Sequence, residues 1–231
     1  MFSMRRLRRR LPSRHDSLLL LIGALVACVG FGIAAFIHNA QVPLRPETSS
    51  INSPWIPSTV KRWSGPIDEM SKKYNIDPDA LAIIMTLESG GYSKANSGEA
   101  QGLMQITPLT AKDIAHTYLK KPVSSYNIWD PRTNIEFGAA YLAYLRDQFG
   151  AVNQGPSWDN TMELMAAGYN GGPGAANLLA GGHGLENAQT IIYSRDAFNM
   201  WRERHAYKSP TYDRWLERGG SQLVDLAKAQ K

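Results

Sequence analysis

Cysteine is almost absent from this chain of 231 residues, which contains only Cys28. A single thiol forms no disulfide within the chain, so the fold does not depend on an oxidising compartment. Cys28 also lies inside an apolar run, which is a poor setting for a reactive thiolate. The sequence therefore argues against catalysis by cysteine.

A surplus of positive charge is missing from most of the chain. The net charge is +5, but six arginines and the single acid Asp16 in residues 1–16 account for all of it. From Ser17 onward, 19 basic residues face 19 acidic ones. Nucleic-acid binding by the globular part loses its main electrostatic support, and none is expected.

Alternating polar and apolar runs, which predict strands, are also lacking at useful length. Helical periodicity and start signals such as Asp77-Pro78-Asp79 are present instead. The fold is expected to be mainly α, with short strand pieces around 97–106. The predicted helices are 66–74, a helix that opens at 77–79 and carries Glu88, 108–118, 133–149, 158–169, 188–204 and 211–228.

Composition changes divide the chain into four predicted segments: a basic tail (1–16), an apolar segment (17–37), a linker rich in Pro and Ser (38–65) and a globular domain (66–231). The 21 uncharged residues of the apolar segment would form a helix that spans a bilayer core about 30 Å thick. Because arginines precede it, the positive-inside rule leaves the tail in the cytoplasm. The domain is then expected on the far side of the membrane.

Two alternatives to an uncleaved transmembrane anchor remain open. Leu25-Val26-Ala27-Cys28 is similar to a lipoprotein signal, with lipid attached at Cys28. Small residues near Ala34-Ala35 would suit a cleavable signal peptide. All three interpretations place the domain outside the cytoplasm.

Glu88 stands out because it ends an apolar helical stretch and is followed at once by Ser-Gly-Gly. At 3.6 residues per turn, Leu81, Ile84 and Met85 share the helix face on which Glu88 falls. Apolar surroundings disfavour the charged carboxylate and raise its pKa. The pattern predicts that Glu88 is a general acid that works near neutral pH.

Three blocks in a fixed order extend this pattern. The first is E-S-G-G at 88–91 with G-L-M-Q-I-T-P at 102–108; the others are D-P-R-T-N-I-E-F-G-A-A-Y-L at 130–142 and A-A-G-Y-N-G-G-P-G at 166–174. Over roughly Pro66 to Arg204, the chain resembles the soluble-lytic-transglycosylase (SLT-type) domains, lysozyme-like enzymes that cleave peptidoglycan. The resemblance implies a single lysozyme-like α+β domain that is helical in its bulk. It also implies a location in the periplasm, tethered to the inner membrane by residues 17–37.

The resemblance implies a mechanism that needs one carboxylate. Glu88 would protonate the glycosidic oxygen between N-acetylmuramic acid and N-acetylglucosamine, and would then take a proton from the muramyl 6-hydroxyl. The product would be a 1,6-anhydro sugar. The resemblance further assigns sugar-binding roles, and these fall on Ser97, Met104, Gln105, Tyr169, Asn170 and Tyr193. Peptidoglycan strands are therefore the expected partner, with envelope-spanning machinery as a further one.

Ordinary glycosidases use two carboxylates, and the candidates for a partner of Glu88 are Glu99, Asp113, Asp130, Glu136 and Glu163. Glu163 is the best of these candidates because it lies on the helix that leads to Tyr169. With it, the chain would be a muramidase-type hydrolase. A non-catalytic wall-binding module of a secretion or conjugation apparatus is the third hypothesis. No cofactor is expected, and the spacing of His116, His183 and His205 predicts no metal site.

Overall fold

A computed structural model describes residues 46–122, 125–149 and 158–230. The predicted basic tail (1–16) and apolar segment (17–37) lie outside the described residues. Within the described ranges, no helix combines the length and the apolar character needed to cross a bilayer.

The described residues form ten α-helices, two of which are continued by a π-helical turn. They are α1 (Ser58–Lys61), α2 (Ser64–Tyr74), α3 (Pro78–Ser89), α4 (Pro108–Ile114, continued by Ala115–Leu119), α5 (Pro131–Phe149), α6 (Trp158–Gly171), α7 (Pro173–Ala180), α8 (Ala188–Arg202), α9 (Pro210–Trp215, continued by Leu216–Gly220) and α10 (Ser221–Ala229). Isolated antiparallel bridges join Asn96 to Gln101 and Gln101 to Ile106. The prediction of a mainly helical fold with short strand pieces is confirmed.

Five helices begin where a short polar side chain accepts a hydrogen bond from a backbone amide of the first turn. Asp77 caps α3, Thr107 caps α4, Asp130 caps α5, Asn187 caps α8 and Ser209 caps α9. Four of them, α3, α4, α5 and α9, also have proline near their first position, where its missing N–H costs nothing. The starts of these helices are therefore encoded locally.

Helix α3 lies at the centre of the domain. Ten of its twelve residues are buried, including Leu81, Ile84 and Met85, which are fully inaccessible. The surrounding helices contribute further large buried side chains such as Phe137 and Trp201. Burial on nearly all sides packs α3 into the core, and the acid lies near its C-terminal end.

The segment before α2 differs from the predicted linker. The carboxylate of Asp79 accepts hydrogen bonds from the backbone N–H groups of Asn52 (3.0 Å) and Ser53 (2.9 Å). Ile56 and Val60 are buried in the hydrophobic core. Residues before 66 therefore pack against the domain, which the Pro- and Ser-rich composition of this segment does not indicate.

Two further elements differ from the prediction. Helix α7 follows directly after Gly172, where only a turn was predicted, because the glycines and Pro173 dominate the local pattern. The predicted helix 211–228 is interrupted at Gly219, whose φ of 111° does not fit a helix. Both differences come from glycine-rich positions, where propensity gives the weakest guidance.

Candidate active site

Glu88 lies in the last turn of α3, next to the point where Gly90 ends the helix with φ = 59°. The side chain is half-buried, and its Oε1 accepts a 2.6 Å hydrogen bond from the hydroxyl of Tyr193 on α8. Burial raises the pKa of Glu88 to about 7, and the hydrogen bond from Tyr193 partly opposes this rise. Glu88 therefore holds a proton at neutral pH and can also release it.

Tyr169, on α6, is the second tyrosine near this carboxyl. Its hydroxyl donates a 2.8 Å hydrogen bond to the backbone oxygen of Met104. Burial raises the pKa of Tyr169 well above its usual value, and the negative charge of Glu88 raises it further. Tyr169 therefore stays a neutral donor that links α6 to the loop beyond Glu88.

Hydrogen bonds from two side chains, Ser89 and Asn134, hold the loop between α3 and α4. The hydroxyl of Ser89 donates to the backbone oxygen of Leu103 at 2.7 Å. The buried Asn134 accepts from the N–H of Met104 at 2.7 Å and donates to the backbone oxygens of Gln101 (2.8 Å) and Ile128 (2.9 Å). These contacts give the loop a defined shape beside the acid.

Glycine is required where this loop crosses α5. A Cβ on Gly102, whose φ is 80°, would lie 2.4 Å from Nδ2 of Asn134. The side chain of Met104 packs against Gly138 of α5, where a Cβ would meet it at 2.7 Å. Met104 was predicted to contact sugar, but its side chain is fully buried, and only its backbone takes part in the site.

Two other predicted sugar-binding residues, Gln105 and Ser97, form hydrogen bonds within the loop between α3 and α4. The amide of Gln105 donates to the backbone oxygens of Ala95 and Gly102, so it is turned back onto its own loop. Ser97 is exposed, and its hydroxyl accepts from the N–H of Ala100 at 3.1 Å. The structure brings Tyr169 and Tyr193 to Glu88, while Gln105 and Ser97 serve the loop itself.

Asn170 links two helices rather than facing outward. Its Oδ1 accepts a 2.9 Å hydrogen bond from the hydroxyl of Thr190 on α8. The nearby glycines allow close packing: a Cβ on Gly168 would lie 2.6 Å from the side chain of Leu145, and one on Gly171 would lie 2.7 Å from that of Thr190. The small residues of 166–174, where α6 ends and α7 begins, therefore bring helices close together.

One of the acids considered as partners of Glu88, Glu136, is engaged elsewhere. Glu136 forms ion pairs with Lys73 (2.5 Å) and Lys121 (2.7 Å). Burial alone would raise the pKa of Glu136, but these two cations lower it to about 2. Among the described residues, no second carboxylate contributes to the shifted pKa of Glu88.

Two further residues of α5 support the site. Asn134, in the block at 130–142, makes two hydrogen bonds to the loop between α3 and α4 and a third to the backbone oxygen of Ile128. Tyr141 lies among apolar residues of α5; its hydroxyl donates to the backbone oxygen of Gly168 at 3.1 Å, and its ring lies 5.3 Å from that of Tyr169. The hydroxyl of Tyr141, a polar group among apolar side chains of α5, was the sequence feature that could have indicated this contact.

Comparisons with known proteins agree with this geometry. A family model described as the transglycosylase SLT domain matches residues 65–187. The chain is 37% identical over 117 residues to the transglycosylase of Enterobacteria phage PRD1, covering 50% of this chain and 37% of that protein. It is 35% identical over 108 residues to membrane-bound lytic murein transglycosylase E of Buchnera aphidicola subsp. Acyrthosiphon pisum, covering 44% of this chain and 48% of the other.

A solved structure of lytic transglycosylase Slt from Pseudomonas aeruginosa is also similar, with a TM-score of 0.45 and 24% identity. The match covers 69% of this chain and 24% of the other. The chain spans less than half the length of the two curated relatives described above. The family model nevertheless covers more than half of the chain, and the resemblance drawn from the sequence is confirmed: the chain belongs to the transglycosylase SLT domain family.

Proposed function

We propose that the domain is a peptidoglycan lytic transglycosylase in which Glu88 acts alone, first as acid and then as base. One observation carries the proposal: Glu88 is half-buried, hydrogen-bonded by Tyr193, and has a pKa raised to about 7. A group that must give and then take a proton works best with a pKa near the working pH. The names of the relatives support the same activity, because both contain transglycosylase.

The first step breaks the bond between N-acetylmuramic acid and N-acetylglucosamine. The protonated carboxyl of Glu88 gives its proton to the glycosidic oxygen, which leaves with the bonding electrons. The carbonyl oxygen of the substrate's own N-acetyl group stabilises the positive charge that develops at the anomeric carbon. No second protein carboxylate is needed for this step, in contrast to the usual pair.

The second step forms the anhydro product. The ionised Glu88 takes the proton of the muramyl 6-hydroxyl while that oxygen attacks the anomeric carbon. Glu88 is protonated again, a 1,6-anhydro ring closes and no water is consumed. The hydroxyl of Tyr193 donates to Oε1 and stabilises the carboxylate between the two steps.

Mass spectrometry of digested peptidoglycan tests this proposal. The wild type is expected to release muropeptides with anhydro ends, and Glu88→Gln is expected to release none. Glu99→Gln is the matched control, because Glu99 lies in the neighbouring loop and is exposed. Products with reducing ends that disappear in Glu163→Gln would instead select the hydrolase. Glycan binding without turnover in the wild type would select the wall-binding module.

We propose further that the domain works in the periplasm, tethered to the inner membrane through residues 17–37. The apolar segment, the arginines before it and the membrane-bound relative support this location. Alkaline extraction of cell membranes tests it, since an anchored chain stays in the membrane fraction. Retention that is lost in Cys28→Ser would select the lipoprotein, and release of a shorter chain would select the cleaved signal peptide.

A further inference from the structure

Two side chains from outside the segment matched by the family model meet at the turn that follows Glu88. The indole Nε1–H of Trp63 donates a 3.0 Å hydrogen bond to the backbone oxygen of Gly91. The amide Nε2–H of Gln230 donates to the same oxygen, also at 3.0 Å. Both residues fall outside 65–187, so this arrangement belongs to the flanking parts of the chain.

Gln230 holds the turn at a second point. Its Oε1 accepts hydrogen bonds from the backbone N–H and from the hydroxyl of Ser93, each at 2.9 Å. One amide side chain thus spans Gly91 to Ser93 with three hydrogen bonds. Such a contact fixes the separation and the orientation of the two residues it joins.

Helix α10 places Gln230 there by packing closely against the turn. A Cβ on Gly90 would lie 3.1 Å from the backbone nitrogen of Val224, which is buried. From the other side, a Cβ on Gly91 would lie 2.2 Å from the backbone oxygen of Thr59, in α1. The turn is enclosed between α1 and α10.

The turn is joined to Glu88 through Ser89. The N–H of Gly91 donates to the hydroxyl oxygen of Ser89 at 3.2 Å, and this hydroxyl donates to the backbone oxygen of Leu103 at 2.7 Å. Glu88 is the immediate neighbour of Ser89 and lies in the last helical turn, where the backbone lacks further helix to restrain it. A displacement of Gly91 is therefore transmitted to the acid and to the adjacent loop.

We propose that Gln230 and Trp63 are positioning residues, which hold the carbonyl of Gly91 so that Glu88 is aligned for proton transfer. The inference rests on the proposed function, and it assigns a role in the reaction to residues outside the matched segment. Rates of proton transfer depend steeply on placement, since a misplacement of about 1 Å far from the chemistry can cost on the order of a hundredfold. Neither side chain itself touches the reacting atoms.

Steady-state kinetics of the purified full chain on soluble glycan strands test this role. The variants are Gln230→Ala, Trp63→Phe and the double variant, all assayed well below their melting temperatures. Each single variant leaves one donor on the carbonyl of Gly91, so kcat is expected to fall roughly threefold. The double variant leaves that oxygen without a donor, so kcat should fall about thirtyfold, which exceeds the product of the single losses. KM is expected to stay unchanged.

Gln222→Ala is the matched control, because Gln222 is an exposed glutamine on α10, the helix that ends just before Gln230. It should keep the kcat of the wild type. A second variant, Gln230→Glu, can still accept from Ser93 but cannot donate to Gly91. It is expected to lose as much kcat as Gln230→Ala, because the carbonyl of Gly91 carries the effect.

Several results would overturn the inference. A double variant whose kcat matches that of Gln222→Ala would show that the contacts only support the fold. A raised KM with unchanged kcat would assign them to substrate binding, and losses that merely multiply would exclude a shared role at Gly91. A wild type that releases no product would overturn this inference together with the proposed function, whereas an active wild type with fully active variants would overturn this inference alone.

Discussion

The hydroxyl of Tyr193 donates a 2.6 Å hydrogen bond to Oε1 of Glu88, joining α8 to the end of α3 across 105 positions of the sequence. Two opposing effects meet in this contact. Burial raises the pKa of Glu88, and the donated hydrogen bond lowers it, leaving a value of about 7. The tyrosine therefore sets how much of the acid is protonated at neutral pH.

Replacement of Tyr193 by Phe should raise the pKa of Glu88 further, because the carboxylate loses the hydrogen bond that stabilises its charge. The acid form is needed for the first step, so kcat/KM of the wild type should fall as pH rises through about 7. In Tyr193→Phe this decline should move to higher pH, and the maximal rate should drop about tenfold. The pH dependence of product release measures both effects.

Tyr207→Phe is the control for this change, because Tyr207 is 84% exposed and lies far along the chain from the acid. It should leave the pH profile as in the wild type. A decline that stays at the same pH in Tyr193→Phe would contradict the role assigned to this tyrosine.

Glu88 should also make the fold less stable at high pH. Its pKa is 4.5 in the unfolded chain and about 7 in the folded one, so the folded state keeps a proton that the unfolded state has released. Stability is complete below the unfolded pKa and falls as pH rises through the folded pKa. A shift of this size corresponds to at most about 3 kcal/mol at alkaline pH.

Glu88→Gln removes this titration. Urea unfolding should show wild type and variant nearly equal at about pH 4, and the variant more stable by up to about 3 kcal/mol at about pH 8. Glu99→Gln, at an exposed position, should show no such divergence. Equal stabilities of wild type and Glu88→Gln at both pH values would mean that the acid is not desolvated.

Much of the helical framework could be predicted because its signals are local. The Asp77 cap, the proline that follows and the apolar run ending at Glu88 define α3 without reference to distant residues. The apolar surroundings of Glu88 could be predicted for the same reason, since the helix period places Leu81, Ile84 and Met85 on the same face of α3 as Glu88. Burial of the acid then followed from burial of its neighbours.

Contacts between distant segments could not be predicted in the same way. The segment around Ile56 and Val60 looked like a linker because proline and serine dominate its composition, although its few apolar residues are buried. The side chain of Met104 was assigned to the sugar, but it faces the core. Its close approach to Gly138 decides this, and that approach depends on the packing of α5.

Asn134 should be essential for the loop beside the acid. Asn134→Ala would remove the side-chain partner of the N–H of Met104 and of the backbone oxygen of Ile128, and one of two donors to the oxygen of Gln101, which keeps the N–H of Ile106. Since unsatisfied buried groups cost about 1–3 kcal/mol each, the free energy of unfolding should fall by about 3 kcal/mol. Chemical denaturation measures the loss.

The exposed Asn127 offers a matched comparison, because its side chain accepts a hydrogen bond from the N–H of Trp129 at the surface. Asn127→Ala should cost less than about 1 kcal/mol. Similar losses in the two variants would mean that the buried contacts of Asn134 carry no special weight.

Gly91 should tolerate no side chain, for two separate reasons. Its φ of 87° disfavours any residue with a Cβ, and that Cβ would lie 2.2 Å from the backbone oxygen of Thr59. Gly98 has a similar φ of 91°, but a Cβ there meets nothing within 4 Å. Gly98→Ala should therefore cost only the backbone strain, about 1 kcal/mol, whereas Gly91→Ala should cost several times more because the backbone of Thr59 must also move. Thermal unfolding of both variants separates the two effects, and equal melting temperatures would show that the turn after Glu88 is not enclosed as described.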